Sequence, residues 1–255
     1  MIQNIQKYSI LKGISLQDAL QAFMQVVVLK NIHMDGVALI GDTSLVLAEN
    51  NPRFSEDIDL TGVSDPLKLA PDLKKAVAEL EAYLGPEVSL KSPKKDVVTW
   101  KIACRLSNLA ARLHVDSQVF EPLTQRPLIV EFPGVAPFVF PGIKVEEAMA
   151  DKLLALAFRN NLSGRDIFDL WFHWFRHGSE GQSYSDIAVL LKTKMKQREV
   201  GVGEFNDKIS SRLKDAIPAR VIDEWNRYLT AGLKNKGLFE EIFATTMMNL
   251  EKIRL

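Results

Sequence analysis

The sequence predicts an α+β protein, in which a mixed sheet with flanking helices is followed by a helical region. Two observations carry that expectation. Short runs of alternating or continuous apolar residues are interspersed with helical stripes throughout the first half. From Lys144 onward no strand-like run follows, and apolar positions recur at helical spacing. The Pro- and Gly-rich stretch from Pro133 to Gly142 reads as a turn and puts a boundary near Gly142. The expected domains are residues 1–142 and 143–255.

In chain order, Ser15 with Asp18 three residues later has the form of a capping box. Leu16, Ala19, Leu20, Phe23, Met24, Val27 and Val28 continue it at helical spacing. Val37 to Ile40 is a short apolar strand that stops at Gly41, and Thr43 to Glu49 is helix-competent until Asn50, Asn51 and Pro52 break it. A second strand carries Asp57 and Asp59 on one face and Ile58 and Leu60 on the other. Asp65-Pro66 opens a helix with a stripe of Leu69, Leu73, Ala76, Val77, Leu80 and Leu84, and Gly85-Pro86 closes it. Strand-like runs follow at Val88 to Lys91, Val97 to Leu106, Arg112 to Phe120 and Leu128 to Phe132. The second half reads as helices over Val145 to Arg159, Gly164 to Arg176, Tyr184 to Glu199, Phe205 to Asp215, Arg220 to Lys234 and Phe239 to Arg254. Gly178 to Ser183 and Gly201 to Gly203 are its loosest connectors.

A chain of 255 residues can bury a full core without staples. Its single cysteine, Cys104, rules out an intramolecular disulfide and points to a reducing compartment. Met1 to Lys7 lacks a signal-peptide pattern, and no apolar run approaches the ~20 residues of a membrane span. A cytoplasmic location and no membrane partner are expected. Lys plus Arg equal Asp plus Glu at 32 each, so any nucleic-acid binding must rest on a local patch.

Two carboxylates side by side on a stiff strand repel each other unless a cation lies between them. An all-oxygen set of this kind suits Mg²⁺ or Mn²⁺. The competing reading of Asp57 and Asp59 is an exposed strand face in water. Alternation in Leu113 to Val119 puts His114, Asp116 and Gln118 together, so Asp116 is a candidate third carboxylate from an adjacent strand, or a solvated strand residue. Gly41 lets backbone approach a phosphate closely, and Thr43 can add a hydroxyl donor. Asp42 is discordant: a carboxylate facing a phosphate at ~5 Å costs roughly 3 kcal/mol at an effective dielectric near 20. The favoured resolution is that Asp42 caps the following helix.

The turn Gly41-x-Thr43-x-Leu45 followed by Arg53-Phe54-Ser55-Glu56-Asp57-Ile58-Asp59-Leu60 resembles the AbiEii-type nucleotidyltransferase toxins of the polymerase-β-like superfamily. A second block agrees: Lys152, Leu153, Leu154 and Ala155, then Arg165, Asp166, Phe168, Asp169, Leu170 and Trp171. The resemblance spans roughly residues 37–174. It implies a nucleotidyltransferase-type sheet, transfer of a nucleotide from an NTP to an acceptor such as the 3′ end of tRNA, Mg²⁺ or Mn²⁺ on Asp57 and Asp59, and a cognate antitoxin. It assigns Lys152 to the triphosphate, with the NTP in a cleft completed by the helical domain, where family members commonly have a second small residue in place of Asp42. Asp116, Lys152 and Asp166 then join the two strand acids as candidate catalytic residues, and Gly41, Thr43, Ser55 and Lys152 as candidates for NTP binding.

Each assignment has a plainer competitor. Lys152, taken without the resemblance, also reads as a snorkelling surface lysine. Ser163-x-x-Asp166 is also a capping box, and Arg165 with Asp169 an i, i+4 ion pair. Arg53 and Ser55 either touch phosphate or set the strand start. Asp169, His173 and His177 share a helix face that offers a transition-metal site or, more simply, a polar stripe. Lys192 to Arg198 is the most basic run, suited to an RNA backbone or to solvent, and Phe132, Phe138 and Phe140 suit base stacking or a core. At the level of the whole chain, the rivals are a non-catalytic nucleotide-binding or interaction protein, and a transferase acting on a small molecule or a protein.

Overall fold

A computed structural model describes residues 1–93, 99–178, 182–215, 218–230, 233 and 235–252. Two compact units divide the chain, Met1–Ile143 and Lys144–Leu255.

The first unit is built on a seven-stranded mixed sheet. Its strands are β1 (Ala38–Ile40), β2 (Ile58–Thr61), β3 (Val88–Lys91), β4 (Trp100–Leu106), β5 (Leu109–Ser117), β6 (Arg126–Phe132) and β7 (Val135–Gly142). They lie in the order β3-β4-β5-β2-β1-β7-β6, with β2–β5 and β1–β7 parallel and the remaining pairs antiparallel. Four helices flank them: α1 (Ile2–Lys12), α2 (Leu16–Asn31), α3 (Gly41–Glu49) and α4 (Ala70–Leu84). The α+β class read from the sequence is the observed one. Val97 and Val98, expected to open the strand ending at Leu106, lie outside the described residues.

Three departures from the sequence reading have local causes. Helix α1 was not anticipated; it ends in a left-handed Gly13, whose N–H reaches back to the carbonyls of Ile10 and Ser9. Strand β5 starts at Leu109, earlier than Arg112, because Ser107 takes a left-handed φ of 54° and a tight hairpin pairs Leu106 with Leu109. The stretch expected to be a Pro-rich turn is instead β7, paired along its length with β6 across the Gly134 turn. Only Gly142 of β7 pairs with β1, so one margin of β7 behaves as a sheet edge, the setting that tolerates Pro137 and Pro141.

Helix α2 supplies the middle of the core. Leu20, Phe23, Met24, Val27 and Val28 are fully buried in one cluster with Ile58, Leu60, Leu113 and Val115 of the sheet. Each such side chain contributes about 1.5–3 kcal/mol of burial free energy. Slipping β2 by one residue would drive Asp57 and Asp59 into that cluster, so its register is firmly specified. Phe132 and Phe140 belong to the same core, with the Phe132 ring 4.5 Å from Tyr8 and 5.4 Å from Phe23. That settles Phe132 and Phe140 as packing residues.

The second unit contains α5 (Val145–Phe158), α6 (Gly164–His177), α7 (Gln182–Gln197), α8 (Val202–Asp215), α9 (Pro218–Tyr228) and α10 (Lys236–Lys252). Helix α5 packs on α6, α7 and α8, and α6 packs on α9 and α10 around Phe168, Trp225 and Phe239. Parts of the predicted connector Gly178 to Ser183 (residues 179–181) and of the last two predicted helices (231, 232, 234, 253 and 254) lie outside the described residues. Among the described residues, no helix is long and apolar enough to cross a membrane.

Candidate functional site

On the sheet face opposite the α2 core, β2 and β5 run side by side with Asp59 in register with Asp116 and Ile58 with Val115. Residues in register on neighbouring strands point the same way, and so do alternate residues along one strand. Asp57, Asp59 and Asp116 therefore share a face, while their neighbours Ile58, Leu60 and Val115 are buried behind them. His114 joins the group, with Nδ1 3.3 Å from Oδ1 of Asp57. Thr99, on the far side of β5, donates its hydroxyl to Oδ1 of Asp116.

Gly41 begins α3 with a φ of +68°, a conformation that favours glycine. A Cβ on it would lie 3.0 Å from Cγ of Asp59 and would collide with Oδ2. The clearance that the sequence suggested for a phosphate is thus filled by a carboxylate of the acidic face. Asp42 does not cap α3: Ile40 holds the N-cap position, without a side-chain cap. The Asp42 carboxylate is instead gripped by both terminal nitrogens of Arg53, at 2.9 and 3.1 Å, and Arg53 also donates to the Phe54 carbonyl. Arg53 is wholly buried, and this planar two-point pairing compensates the charge that made Asp42 discordant. It also gives Arg53 a structural occupation.

Thr43 and Ser55 are buried in one network below the acids. The Thr43 hydroxyl donates to the Asp57 carbonyl and lies 2.7 Å from the Ser55 hydroxyl. Gln25 of α2 donates from Nε2 to the carbonyls of Ser55 (3.0 Å) and Asp57 (3.3 Å) and to Thr43 Oγ1, and Gln21 donates to the Glu56 carbonyl. These bonds hold the backbone on either side of Asp57. Sequence reading missed both glutamines. The signal was there: two amides four residues apart interrupt the buried stripe of α2, and a buried amide must have a bonding job.

In the helical unit, the Lys152 ammonium is 2.8 Å from Asp166 and 2.8 Å from Asp169, and all three side chains are buried. Arg159 reaches the other oxygen of Asp166 at 2.7 Å. Lys152 is therefore not a snorkelling surface lysine, and Asp169 supports it as directly as Asp166 does. The capping box expected at Ser163 is absent. The cap comes from α9, where the Glu224 carboxylate accepts from the Ser163 hydroxyl (3.0 Å) and the Gly164 N–H (2.7 Å). Arg165 lies 3.6 Å from the same carboxylate, over the Tyr228 ring. Lys194 on α7 and Arg198 just past its end, both of the basic run, turn toward α5, where Lys194 meets Glu147 and Asp151 and Arg198 meets Asp151. The run is thereby partly an internal ion-pair network, not a basic patch facing solvent along its whole length.

A family model described as "Nucleotidyl transferase AbiEii toxin, Type IV TA system" matches residues 24–245. The chain belongs to the AbiEii family. Membership brings with it an NTP substrate and an antitoxin partner as the family's attributes. Two solved Helicobacter pylori structures share this chain's fold. One, solved as a candidate nucleotidyltransferase, is 19% identical, covers 93% of this chain and 92% of its own, and has a TM-score of 0.53. The other, JHP933, is 17% identical, covers 94% and 93%, and has the same TM-score. No curated protein matches the chain.

Proposed function

We propose that this AbiEii protein transfers a nucleotidyl group from an NTP to an acceptor hydroxyl, with an RNA 3′ end, of the tRNA class that the family resemblance implies, as acceptor. The observation that carries the reading is the shared face of Asp57, Asp59 and Asp116, closed on one side by the Gly41 turn. The carboxylate oxygens of Asp57 and Asp59 are donors of the type that suits Mg²⁺ or Mn²⁺, and the missing Cβ of Gly41 leaves room for the Asp59 oxygen that would be a ligand. Asp57 and Asp59 would hold the ion. Bound there, it supplies charge compensation for the triphosphate and a lower pKa for the attacking hydroxyl.

The chain's own residues account for the remainder. Gln25 and Thr43 fix the backbone at Asp57, which orients both strand acids before substrate arrives. Asp116, steadied through Oδ1 by Thr99, presents Oδ2 to take the acceptor hydroxyl proton. The acceptor oxygen then forms its bond to the α-phosphorus, the bond between that phosphorus and the β-bridging oxygen breaks, and pyrophosphate leaves. Lys152 enters this reading through the family resemblance, as counter-charge to the phosphates, with its ammonium oriented by Asp166 and Asp169.

Incubation with α-labelled NTPs, Mg²⁺ and total RNA tests the proposal. Label should appear on RNA and vanish in Asp57→Ala and Asp59→Ala. Absence of transfer to any acceptor, together with no NTP binding by calorimetry, would refute it.

A further inference from the structure

The face that carries the three acids continues sideways across β5, β4 and β3, and its character changes from acidic to basic. In register, Lys101 stands beside His114 and Lys91 beside Lys101, while Arg112 stands beside Ala103, which neighbours Ser89. Lys91, Lys101 and Arg112 are exposed, and no ion pair engages them among the described residues. Arg105, on the same face, stands opposite Glu87, which precedes Val88, the register partner of Cys104, and its N–H donates to the Glu87 carbonyl. With neighbouring strands about 4.8 Å apart, the row from Asp57 through His114 and Lys101 to Lys91 extends about 14 Å. Small side chains, Ser89 and Ala103, keep the surface between the cations flat.

We propose that Lys91, Lys101 and Arg112 carry the phosphodiester backbone of a single-stranded RNA whose 3′ end lies at Asp57, Asp59 and Asp116. The assignment rests on the proposed transferase reading and adds the surface that receives the acceptor. Charge complementarity selects the occupant: cations that no described residue pairs, set on a flat strip, suit a chain of phosphates, whereas a single triphosphate held at the acids does not reach Lys91. Among the described residues, Lys91, Lys101 and Arg112 and the Ser89 and Ala103 between them include no aromatic side chain to stack a base, so recognition on this strip is of the backbone and independent of sequence.

The test measures binding without turnover. A fluorescein-labelled, mixed-sequence 12-nucleotide RNA is titrated by anisotropy without NTP across about 50–200 mM salt, against the full chain and its Lys91→Gln/Lys101→Gln/Arg112→Gln variant. Removing three cation–phosphate pairs, at about 0.7 each, should flatten the slope of log affinity against log salt by about 2, with affinity at the lowest salt falling at least ~10-fold. The thermal midpoint checks that the variant folds, and Lys101→Glu alone, expected to weaken binding at least ~3-fold, replaces it if it does not. An unchanged slope and affinity, no RNA binding by the parent chain, or polyglutamate binding in its place overturns the proposal. Loss of NTP affinity with RNA affinity intact overturns it too, by giving the cations to the triphosphate. RNA binding with the expected slope but no transfer to any acceptor leaves this surface standing and removes the proposed activity.

Discussion

The carboxylate of Asp59 occupies the volume that a side chain on Gly41 would need: a Cβ there would come within 3.0 Å of Cγ and 3.1 Å of Cβ of Asp59. The antiparallel β1–β2 pair brings the two together, because Asp59 is in register with Ile40, the residue before the glycine. The turn from β1 into α3 and the acid on β2 are thus one fitted unit. The glycine is required by the acid before any substrate is considered.

Gly41→Ala should therefore damage both stability and chemistry. A β-carbon at φ +68° costs about 1–2 kcal/mol in the backbone alone, and relief of the overlap must push the Asp59 side chain off its position. Misplacing a reacting group by about 1 Å can cost on the order of 10²-fold in rate. Urea unfolding and labelled-nucleotide transfer check the two effects. A variant as active as the parent would show that Asp59 is not held where the reaction needs it.

Gln25 offers a complementary probe, since it touches the backbone around Asp57 and not the carboxylates. Gln25→Leu keeps the volume but strands the Ser55 carbonyl, at about 1–3 kcal/mol, and leaves the Asp57 carbonyl to Thr43. Transfer should slow by about 10–100-fold, as for other residues that orient ligands at one remove. The loss should fall with rising Mg²⁺ concentration if Gln25 acts by positioning Asp57. A loss indifferent to Mg²⁺ would reduce Gln25 to a packing residue.

How much of this was readable beforehand depends on the range of the interaction. The shared face of Asp57 and Asp59, and the burial of Ile58 and Leu60 behind them, follow from strand alternation and were legible. The α+β class followed from the change of periodicity along the chain. The pairing of Asp42 with Arg53 was not legible, because eleven positions separate the two residues across a broken helix and only the folded turn gives Arg53 its two-point geometry. Glu224 capping α6 from sixty positions away was equally hidden, since local rules see only the Ser163-x-x-Asp166 spacing. Strand β7 was lost to its prolines, whose usual meaning as turn formers is overridden by pairing with β6.

Lys152 yields a stability prediction that does not depend on any substrate. Its side chain is 6% exposed between Asp166 and Asp169, at 1% and 0%. Lys152→Met removes the ammonium that the two buried carboxylates of Asp166 and Asp169 share. Breaking a buried pair in this way costs about 3–5 kcal/mol. The triple variant Lys152→Met/Asp166→Asn/Asp169→Asn should recover a large part of it. Urea midpoints measure both, and a single variant within ~1 kcal/mol of the parent would mean that water already reaches the cluster.

The Lys30–Glu79 contact, which ties the end of α2 to α4, makes a prediction about acid. Burial pushes the Glu79 carboxyl up, but hydrogen bonds from Lys30 at 2.7 Å and Asn31 at 2.8 Å outweigh it and hold the group below the usual carboxylate value. The hydrogen bond to Glu79 correspondingly raises Lys30, against a smaller opposing effect of burial. A carboxyl lowered by folding stabilises the protein fully above its unfolded value of 4.5, and that contribution disappears as pH falls through the lower folded value. The raised Lys30 behaves in the opposite sense: its contribution is complete below 10.5 and is lost as pH rises through the higher folded value. Lys30 is 39% exposed, so solvent screening keeps the pair's contribution small. Glu79→Gln should accordingly lie slightly below the parent in urea midpoint near neutral pH, and the two should converge as pH drops toward about 3. A gap that stays constant across that range would place the contribution of Glu79 in packing and not in its charge.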